Sequence, residues 1–568
     1  MTPKRSWGGI PAFALLLVAA LSVACAGNAG PAGPAAPAPP DGAVPAAADG
    51  PVTPKVNRVV IALKQLGAEA PTPRSIAGFD VYPFRATHEV LIGNNPKTGE
   101  PNVPQLATEW TLAPDAKSLN FKLRKGVQFQ KGGGEMKAQD VVFTWDSLIK
   151  IKEPPSHVWA ETWWNKYITA IDVNNDYDIT MRIIPQAQFW LNLSSSFHQL
   201  AVRSKAQHEK DGEPKNVEAG QVPGTGPYQW KEQKAASYMR LERVPFKHWR
   251  TNPEFPELEF RWMNEASSKM AALVAGEVHI TDLPADLQPA AEKAGMKRLQ
   301  NQGYSPRVMG TFRCCYYDPA TKQWPLYPDD ALMSVKVREA LNRAVNRDEL
   351  GKAFAPRRSP VYVTHYSQQR LGWDPTWETR FADKYGYNPD RAKALLAESG
   401  YTAAKPLEIT VVPAQLTYIA NGPDIADAVA AYFRAVGVKV NYLNLDPATE
   451  TAQSRAFKLR DVVRLQSTSS SLLDGMITWN LNYTTAGNGF YNPDVVAMSE
   501  AVNREMAPEK QAPLLKTLGE WAFNNYWDIP LWWVPQEVMV NPKIVQDWTW
   551  PAAGSGGWSD FDTIRAAK

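Results

Sequence analysis

Beyond residue 55, apolar residues either alternate with polar ones or return at helical spacing, and the two patterns predict a mixture of strands and helices. Residues 56–63 form an apolar run that predicts a strand at the start of the folded part. In residues 138–150 the apolar positions return every three or four residues, which predicts an amphipathic helix. Residues 335–345 show the same spacing. Both helices are expected to dock by their apolar faces.

The clearest local unit is a strand, a helix and a second strand. Residues 407–411 alternate between apolar and polar, Pro423 opens a helical pattern, and Gly437 ends it before residues 438–440 return as a strand. Because a strand–helix–strand unit forms a parallel pair in a sheet covered by helices, at least one lobe is predicted to be α/β. A further helix expected over residues 389–400 supports the same lobe.

The first 24 residues have the pattern of an export signal. Lys4 and Arg5 precede an apolar stretch over residues 10–24 that is too short to span a membrane comfortably. Cys25 then follows small residues, as in a bacterial lipobox, where the cysteine is lipidated and becomes the mature N-terminus. Ser22 stands where lipoboxes usually have Leu, Val or Ile, so a plain secretory signal remains the alternative. Either interpretation predicts an exported protein.

Residues 25–55 are expected to form a tether between the signal and the folded part. After Cys25 this stretch is nearly all Ala, Gly and Pro, without apolar periodicity and with little to bury, so an extended, disordered spacer is predicted. A tether behind a lipid anchor would hold the protein at a membrane while its folded part reaches solute.

The composition excludes some classes of protein. A chain of 568 residues is too long for one hydrophobic core, so several lobes are expected. Removal of Lys4 and Arg5 with the signal lowers the formal charge from +3 to 3 − 2 = +1. A charge this close to zero does not indicate a nucleic-acid partner.

Cys314 and Cys315 are adjacent, and adjacent Cα atoms lie closer together than the usual disulfide span. We therefore expect two strand cysteines that face opposite sides of a sheet. A strained vicinal disulfide is the alternative.

No motif for catalysis, metal binding or cofactor binding is found. The seven histidines form no His-x-x-x-His pair, and the chain has no Cys-x-x-Cys, no Gly-x-Ser-x-Gly and no phosphate-binding loop. Residues 224–227 are glycine-rich, but Pro227 cannot donate a backbone N–H, so a turn is expected there. The 21 tryptophans and 20 tyrosines fill cores for the most part, and the remainder could line a ligand cleft.

Four segments of the chain form a recognisable series. The first combines residues 103–110, 120–129 and 138–143, the second is 224–228 with 241–243 and Trp249, the third is 335–348, and the fourth is 387–401. Each is weak alone, but in this order, behind an export signal and a tether, they resemble the family 5 solute-binding proteins, the group that binds oligopeptides and dipeptides.

The resemblance implies an α/β, two-lobed periplasmic-binding-protein fold of the class II, cluster C type with an inserted extra subdomain. A hinge would join the two lobes and close them over the ligand. The implied organisation is a signal peptide (1–24), a tether (25–55), lobe I in three parts (56–83, 223–305 and 531–568), an inserted subdomain of lobe I (84–222) and lobe II (306–530).

The resemblance also implies a function. The chain would be the extracytoplasmic solute-binding component of an ABC importer, a lipid-anchored monomer that captures a peptide or similar solute and delivers it to a membrane permease. It would use no cofactor or metal and would not be an enzyme. Three alternatives stay open, namely an oligosaccharide-binding member of the family, a secreted lipoprotein enzyme, and a peptide receptor or chaperone that serves no transporter.

The family pattern places the ligand between the lobes, with the stretch 464–471 contributing from lobe II. Many peptide-binding members carry a Trp-x-x-Asp-like stretch there, whose acid pairs with the peptide's amino group. Here serines replace the Trp and the Asp, and a hydroxyl cannot supply that charge-assisted bond. Standard recognition of a free amino group is therefore in doubt. The candidate ligand-binding residues are Tyr304, Arg464, Ser469, Ser470, Ser471 and Trp479.

Overall fold

The computed structural model describes the chain in separate ranges. They are 53–63, 74, 81–94, 101–151, 164–185, 193, 200–212, 222–300, 307–318, 321–356, 371–413, 422–445, 449–450, 452–453, 456–468, 491–533, 537–549 and 558–568.

The described chain contains both strands and helices. The strands are β1 (Arg58–Leu63), β2 (Ile92–Asn94), β3 (Pro101–Pro104), β4 (Ala107–Leu112), β5 (Ser118–Leu123), β6 (Ile168–Asn175), β7 (Asp178–Ile183), β8 (Tyr228–Lys234), β9 (Tyr238–Arg243), β10 (Glu257–Trp262), β11 (Ile280–Thr281), β12 (Lys297–Gln300), β13 (Arg307–Arg313), β14 (Glu408–Pro413), β15 (Lys439–Tyr442), β16 (Val462–Thr468), β17 (Asp528–Trp533), β18 (Glu537–Val540), β19 (Val545–Trp548) and β20 (Ile564–Ala566). The helices are α1 (Val81–Thr87), α2 (Ala138–Lys150), α3 (Asn165–Tyr167), α4 (Lys205–Asp211), α5 (Ala266–Ala275), α6 (Gln288–Lys293), α7 (Val335–Ala344), α8 (Arg347–Phe354), α9 (Thr376–Tyr385), α10 (Pro389–Glu398), α11 (Gly422–Ala435), α12 (Pro493–Arg504) and α13 (Pro508–Asn524).

Lobe I is built on a seven-stranded sheet with the order β12-β18-β11-β1-β10-β9-β8. The first strand, β1, lies inside it and pairs in parallel with β10 and β11. Val59 and Ile61 enter one core on one face of the sheet, and Val60 and Ala62 enter a second cluster on the other. A strand buried on both faces needs apolar residues at successive positions, which explains the apolar run in the sequence of β1.

Lobe II is built on a five-stranded sheet with the order β15-β14-β16-β13-β17. Strands β14 and β15 are parallel and are joined by α11, as the alternation and the helical pattern predicted. The helix buries Ile425, Val429 and Phe433 against the sheet, in a core that also takes Leu341 and Leu395 from the predicted helices α7 and α10. The predicted α/β lobe is confirmed.

The inserted subdomain has its own four-stranded sheet, β4-β5-β7-β6, and its own core. Neighbouring strands are antiparallel, and β5 alternates with the buried Leu119, Phe121 and Leu123 on one face. The predicted amphipathic helix is observed as α2, which packs Val141 and Leu148 into this core. Its apolar stripe therefore faces the subdomain's own sheet.

Two expected boundaries fall inside elements of the structure. The boundary after residue 83 cuts α1, whose Phe84 and Ala86 still belong to the core of lobe I. The boundary after residue 530 cuts β17, which pairs with β13 in the sheet of lobe II as far as Trp533. These limits were implied by the family resemblance; in the structure α1 packs with lobe I beyond residue 83 and β17 pairs in lobe II beyond residue 530.

The glycine-rich segment before β8 joins the inserted subdomain to lobe I. A Cβ added to Gly226 would lie 2.6 Å from the carbonyl carbon of Thr87, and one added to Gly224 would lie 2.1 Å from the Thr87 oxygen. The Gln130 side chain closes the joint, since its amide nitrogen donates to the carbonyls of Thr87, Gly226 and Tyr228 at 2.7–3.0 Å. The two glycines are needed for close packing of backbone on backbone.

A second joint is a buried ion network. Glu89, just after α1, accepts hydrogen bonds from Trp249 Nε1 at 2.8 Å and from Arg250 Nε at 2.7 Å, and Arg250 Nη1 donates to Asp562 at 2.6 Å. Burial alone would raise the pKa of Glu89, but the Arg250 charge and hydrogen bonds from His248 and Trp249 lower this pKa to about 2. The network ties three distant segments of the chain together.

The expectation for the cysteines is wrong, because Cys314 and Cys315 form a vicinal disulfide. The strand β13 ends at Arg313, so the two residues do not alternate across a sheet. Cys315 adopts a left-handed backbone conformation with φ of 61°, and both cysteines are fully buried.

Candidate ligand-binding cleft

The chain passes twice between the two large sheets, and the two passages start and end beside each other. The first leads from β12 to β13, and the second from β17 to β18. Gln300 pairs with Glu537 in lobe I, and Arg307 pairs with Trp533 in lobe II, so the strands on each side of the passages are hydrogen-bonded neighbours. Two adjacent connections of this kind are the arrangement that a hinge needs.

In each of the two large sheets, the carboxyl ends of the parallel strands lie together at one end of the sheet. In lobe I, β1, β10, β11 and β12 all run toward the edge at which β12 leaves the sheet. In lobe II, β14, β15 and β16 run toward the edge at which β13 enters. Ligands of open α/β sheets bind outside the carboxyl ends of the strands. The candidate cleft therefore lies between these two edges.

Of the six predicted ligand-binding residues, Arg464 is the one that belongs to the described part of the chain. Arg464 lies inside β16, opposite Thr311 and four residues before Thr468, which pairs with Arg307 at the edge. Four strand residues correspond to about 13 Å. Ser469, Ser470 and Ser471 follow Thr468 directly in the sequence. These serines, Tyr304 and Trp479 lie outside the described residues.

The charge of Arg464 is matched within its own lobe. Its Nε donates to the Glu450 carboxylate and its Nη1 donates to Gln466 Oε1 at 2.7 Å. Gln466 also accepts from Thr311 at 3.5 Å. The arginine is half-buried, so it forms part of a polar row on the sheet and is set back from the edge.

A buried ion pair, for which the sequence has no local signal, begins at the lobe II edge with Arg307 and extends into the sheet to Asp528, which lies opposite Thr311. Arg307, the first residue of β13, donates through two nitrogens to both carboxylate oxygens of Asp528, at 2.8 and 2.9 Å. Asn342 on α7 donates to the Asp528 carbonyl at 3.0 Å. The partners are 221 residues apart, and neither has a local motif that could have identified the pair. The pair holds β13, the strand with which the chain enters lobe II, to β17.

A cavity of about 890 Å³ lies elsewhere, in the segment between β9 and β10. It is lined mainly by residues 242–252, at the amino end of β10. This edge of lobe I is opposite to the edge at which the chain passes to lobe II. The cavity is therefore not part of the candidate cleft.

Clusters of metal-ligating side chains and membrane-spanning helices are both absent from the described residues. Within the described ranges, no group of three or more His, Cys, Asp and Glu side chains is arranged to hold a metal ion. No helix in that part of the chain combines the length and the apolar character needed to cross a membrane.

Two α/β lobes joined by paired connections, with parallel strands ending at the facing edges, define a two-lobed binding-protein fold. The chain belongs to family 5 of the bacterial extracellular solute-binding proteins, since the family model "Bacterial extracellular solute-binding proteins, family 5 Middle" matches residues 102–490. The resemblance of the four sequence segments is thus confirmed.

Known relatives agree with this assignment. The dipeptide-binding protein of Escherichia coli is 27% identical over 364 residues, which are 61% of this chain and 63% of that protein. The chain thus spans less than two thirds of the length of this relative.

Solved structures share the fold. The periplasmic binding protein DppA from Helicobacter pylori, in complex with the peptide STSA, has a TM-score of 0.72 at 18% identity, covering 90% of this chain and 98% of that one. NikA from Brucella suis, in complex with Fe(III)-EDTA, has a TM-score of 0.73 at 19% identity, covering 90% and 99%. Both likenesses concern the fold alone.

Proposed function

We propose that the chain is the extracytoplasmic solute-binding component of an ABC importer, which captures a peptide between its lobes and delivers it to a membrane permease. The observation that carries the proposal is the geometry of the two sheets, whose parallel strands end at the edges joined by the paired connections. A peptide can lie in the crevice between such strand ends and be enclosed when the hinge closes. The name of the Escherichia coli relative supports a peptide as the solute.

Peptide titration of the exported protein tests this function. Isothermal titration with alanyl-phenylalanine and methionyl-leucine should give saturable binding, and small-angle scattering should show a more compact particle with ligand. Cellobiose and maltotriose serve as comparison ligands. Binding of the sugars without binding of the peptides would instead assign the chain to the oligosaccharide-binding members of the family.

The protein is proposed to bind without catalysis and to act as a monomer. Mass spectrometry of the peptides after prolonged incubation should show them unchanged, and size-exclusion chromatography with light scattering should give one protomer. Turnover of the bound peptide would favour the secreted enzyme.

The ligand site is proposed to include the stretch after β16, with Ser469, Ser470 and Ser471, and the aromatic residues Tyr304 and Trp479. Replacing Ser470 by Asp should strengthen binding of peptides with a free amino group, since a carboxylate restores a charge-assisted bond. Truncation of Trp479 to Ala should weaken binding of every ligand. Unchanged affinities in both folded variants would place the site elsewhere.

Export and anchoring are proposed from the first 55 residues. Cys25 would carry lipid, and the Ala/Gly/Pro-rich stretch behind it would act as a tether. In cells, the wild type should fractionate with membranes and carry lipid mass, whereas Cys25→Ala should be released. A wild type without lipid mass would favour soluble secretion.

A further inference from the structure

The lobe I edge of the candidate cleft carries a half-exposed carboxylate that is held by a buried lysine. Asp282 is the first residue after β11, and its side chain is 48% exposed. Lys269 of α5 has a side chain only 3% exposed, and its Nζ donates to Asp282 Oδ1 at 2.6 Å. The ammonium is thus buried in lobe I, while the carboxylate extends to the surface.

The position of Asp282 follows from the sheet. Thr281 pairs with Met539 of β18, so Asp282 continues β11 toward the level at which β18 begins at Glu537. Glu537 is the residue at which the second passage from lobe II re-enters lobe I. Asp282 therefore lies at the carboxyl end of a parallel strand, on the edge that borders the candidate cleft.

The surroundings fix the carboxylate in place. The buried Thr281 hydroxyl donates to the Ala62 carbonyl at 3.1 Å and holds the end of β11 against β1. Lys269 cannot turn away without leaving a buried ammonium unpaired, which is strongly unfavourable. A preorganised acceptor loses little conformational entropy when it binds a ligand, and this increases its contribution to affinity.

We infer that Asp282 binds the ammonium group of the ligand, so that the charge-assisted contact is made from lobe I. The inference rests on the proposed function as a peptide-binding protein. In the family pattern an acid pairs with the amino group in the stretch that follows β16, and this chain has serines there in its sequence. The charge of Arg464 in lobe II is matched by Glu450. The Asp282 carboxylate has one oxygen bonded to Lys269, and its second oxygen can accept a bond from a cationic donor.

The test compares free and blocked amino groups. The probes are alanyl-phenylalanine, methionyl-leucine and their N-acetyl derivatives, titrated into the exported protein and into Asp282→Asn. The variant should bind the free dipeptides about 10-fold or more weakly and the N-acetyl forms with unchanged affinity, since a hydrogen bond to a charged group is lost only for the former. Asp547→Asn is the control, because Asp547 is exposed on β19, outside the cleft edge.

The outcomes separate this inference from the proposed function. If the wild type binds the free dipeptides and Asp282→Asn binds them equally well, the inference is wrong and the peptide-binding function stands. If the wild type binds no peptide, both fail. Should Asp282→Asn not fold, Asp282→Glu keeps the charge beside Lys269 and shifts the carboxylate by one methylene. This variant should lose affinity several-fold for free dipeptides only, and an unchanged affinity would overturn the inference.

Discussion

Lobe I and lobe II differ in how the chain builds them. Lobe I combines β1, residues 222–300 and the stretch after residue 536, with the inserted subdomain attached, whereas the described part of lobe II comes from residues 307–533. Lobe I therefore needs joints between segments that are far apart in sequence. Gly224 and Gly226 provide one joint, and the Glu89 network provides the other.

The joints use chemistry that continuous stretches do not need. The carboxylates of Glu89 and Asp562, which share Arg250 as their cation, are buried where separate segments meet. The Arg307–Asp528 pair is buried between the first and last strands of lobe II. In contrast, the Arg464–Glu450 pair joins residues only 14 apart, and its carboxylate is 11% exposed against 3% for Glu89. Buried pairs thus mark contacts between distant segments, and their loss should affect stability more than the loss of a local pair.

Removal of Arg250 should give the largest effect. Arg250→Met leaves Glu89 and Asp562 buried without their cation, which is expected to lower the free energy of unfolding by about 3–5 kcal/mol. Urea denaturation measures this change. The control is Arg464→Met in lobe II, which should cost less because it leaves one carboxylate without its cation instead of two, and the Glu450 side chain is 11% exposed against 3% for Glu89. Equal effects of the two substitutions would contradict the distinction between the lobes.

Acid should destabilise the Glu89 joint specifically. The pKa of Glu89 is lowered in the folded protein to about 2, from an unfolded value near 4.5. A carboxyl group whose pKa is lower in the folded than in the unfolded protein stabilises the fold at pH values above the unfolded pKa. This stabilisation, up to about 3 kcal/mol, is lost as the pH falls from about 4.5 to about 2. Unfolding followed by tryptophan fluorescence over this range measures the loss. Other paired carboxylates, such as Glu520 with a pKa lowered to about 2, contribute to the same range. Glu89→Gln should therefore remove only the share that comes from Glu89, and an identical profile in that variant would exclude Glu89 as a source.

The glycine joint should tolerate substitution poorly. Gly226→Ala places a Cβ 2.6–2.9 Å from backbone atoms of Ala86 and Thr87, which cannot move aside separately, and should lower stability by about 1–3 kcal/mol. Gly437 after α11 in lobe II has a positive φ of 92° and open space around it, so Gly437→Ala should cost only the left-handed conformation, about 1 kcal/mol. Thermal denaturation of both variants measures the difference, and a larger loss for Gly437→Ala would refute the close-packing explanation.

Neutralising Glu450 should have the smallest effect. Glu450→Gln weakens the pair with the half-buried Arg464 and should change stability by about 1 kcal/mol or less. The same variant also tests whether Arg464 contacts the ligand, because Arg464 loses its matching charge. Titration with a dipeptide should show little change if Arg464 is set back from the ligand. A large gain in affinity would instead place Arg464 at the ligand.

The sequence determined the elements whose pattern is local. The apolar stripe of α2, the unit β14–α11–β15 and the helix α10 could be predicted because a residue's burial there depends on neighbours within a few turns or a strand. The order of family segments also predicted two lobes with an insert. The cysteine pair was misjudged, since local alternation does not show that β13 ends at Arg313.

The tertiary structure alone decided the joints and the cleft edges. Glu89, Arg250 and Asp562 are separated by 161 and 312 residues, and no spacing in the sequence links them. The same holds for Asp282, whose place follows from the pairing of β11 with β18, 258 residues further on. Local patterns record which face of an element is buried. Which distant segment covers that face depends on the packing of the whole chain, because burial and charge pairing are energies of contact in space.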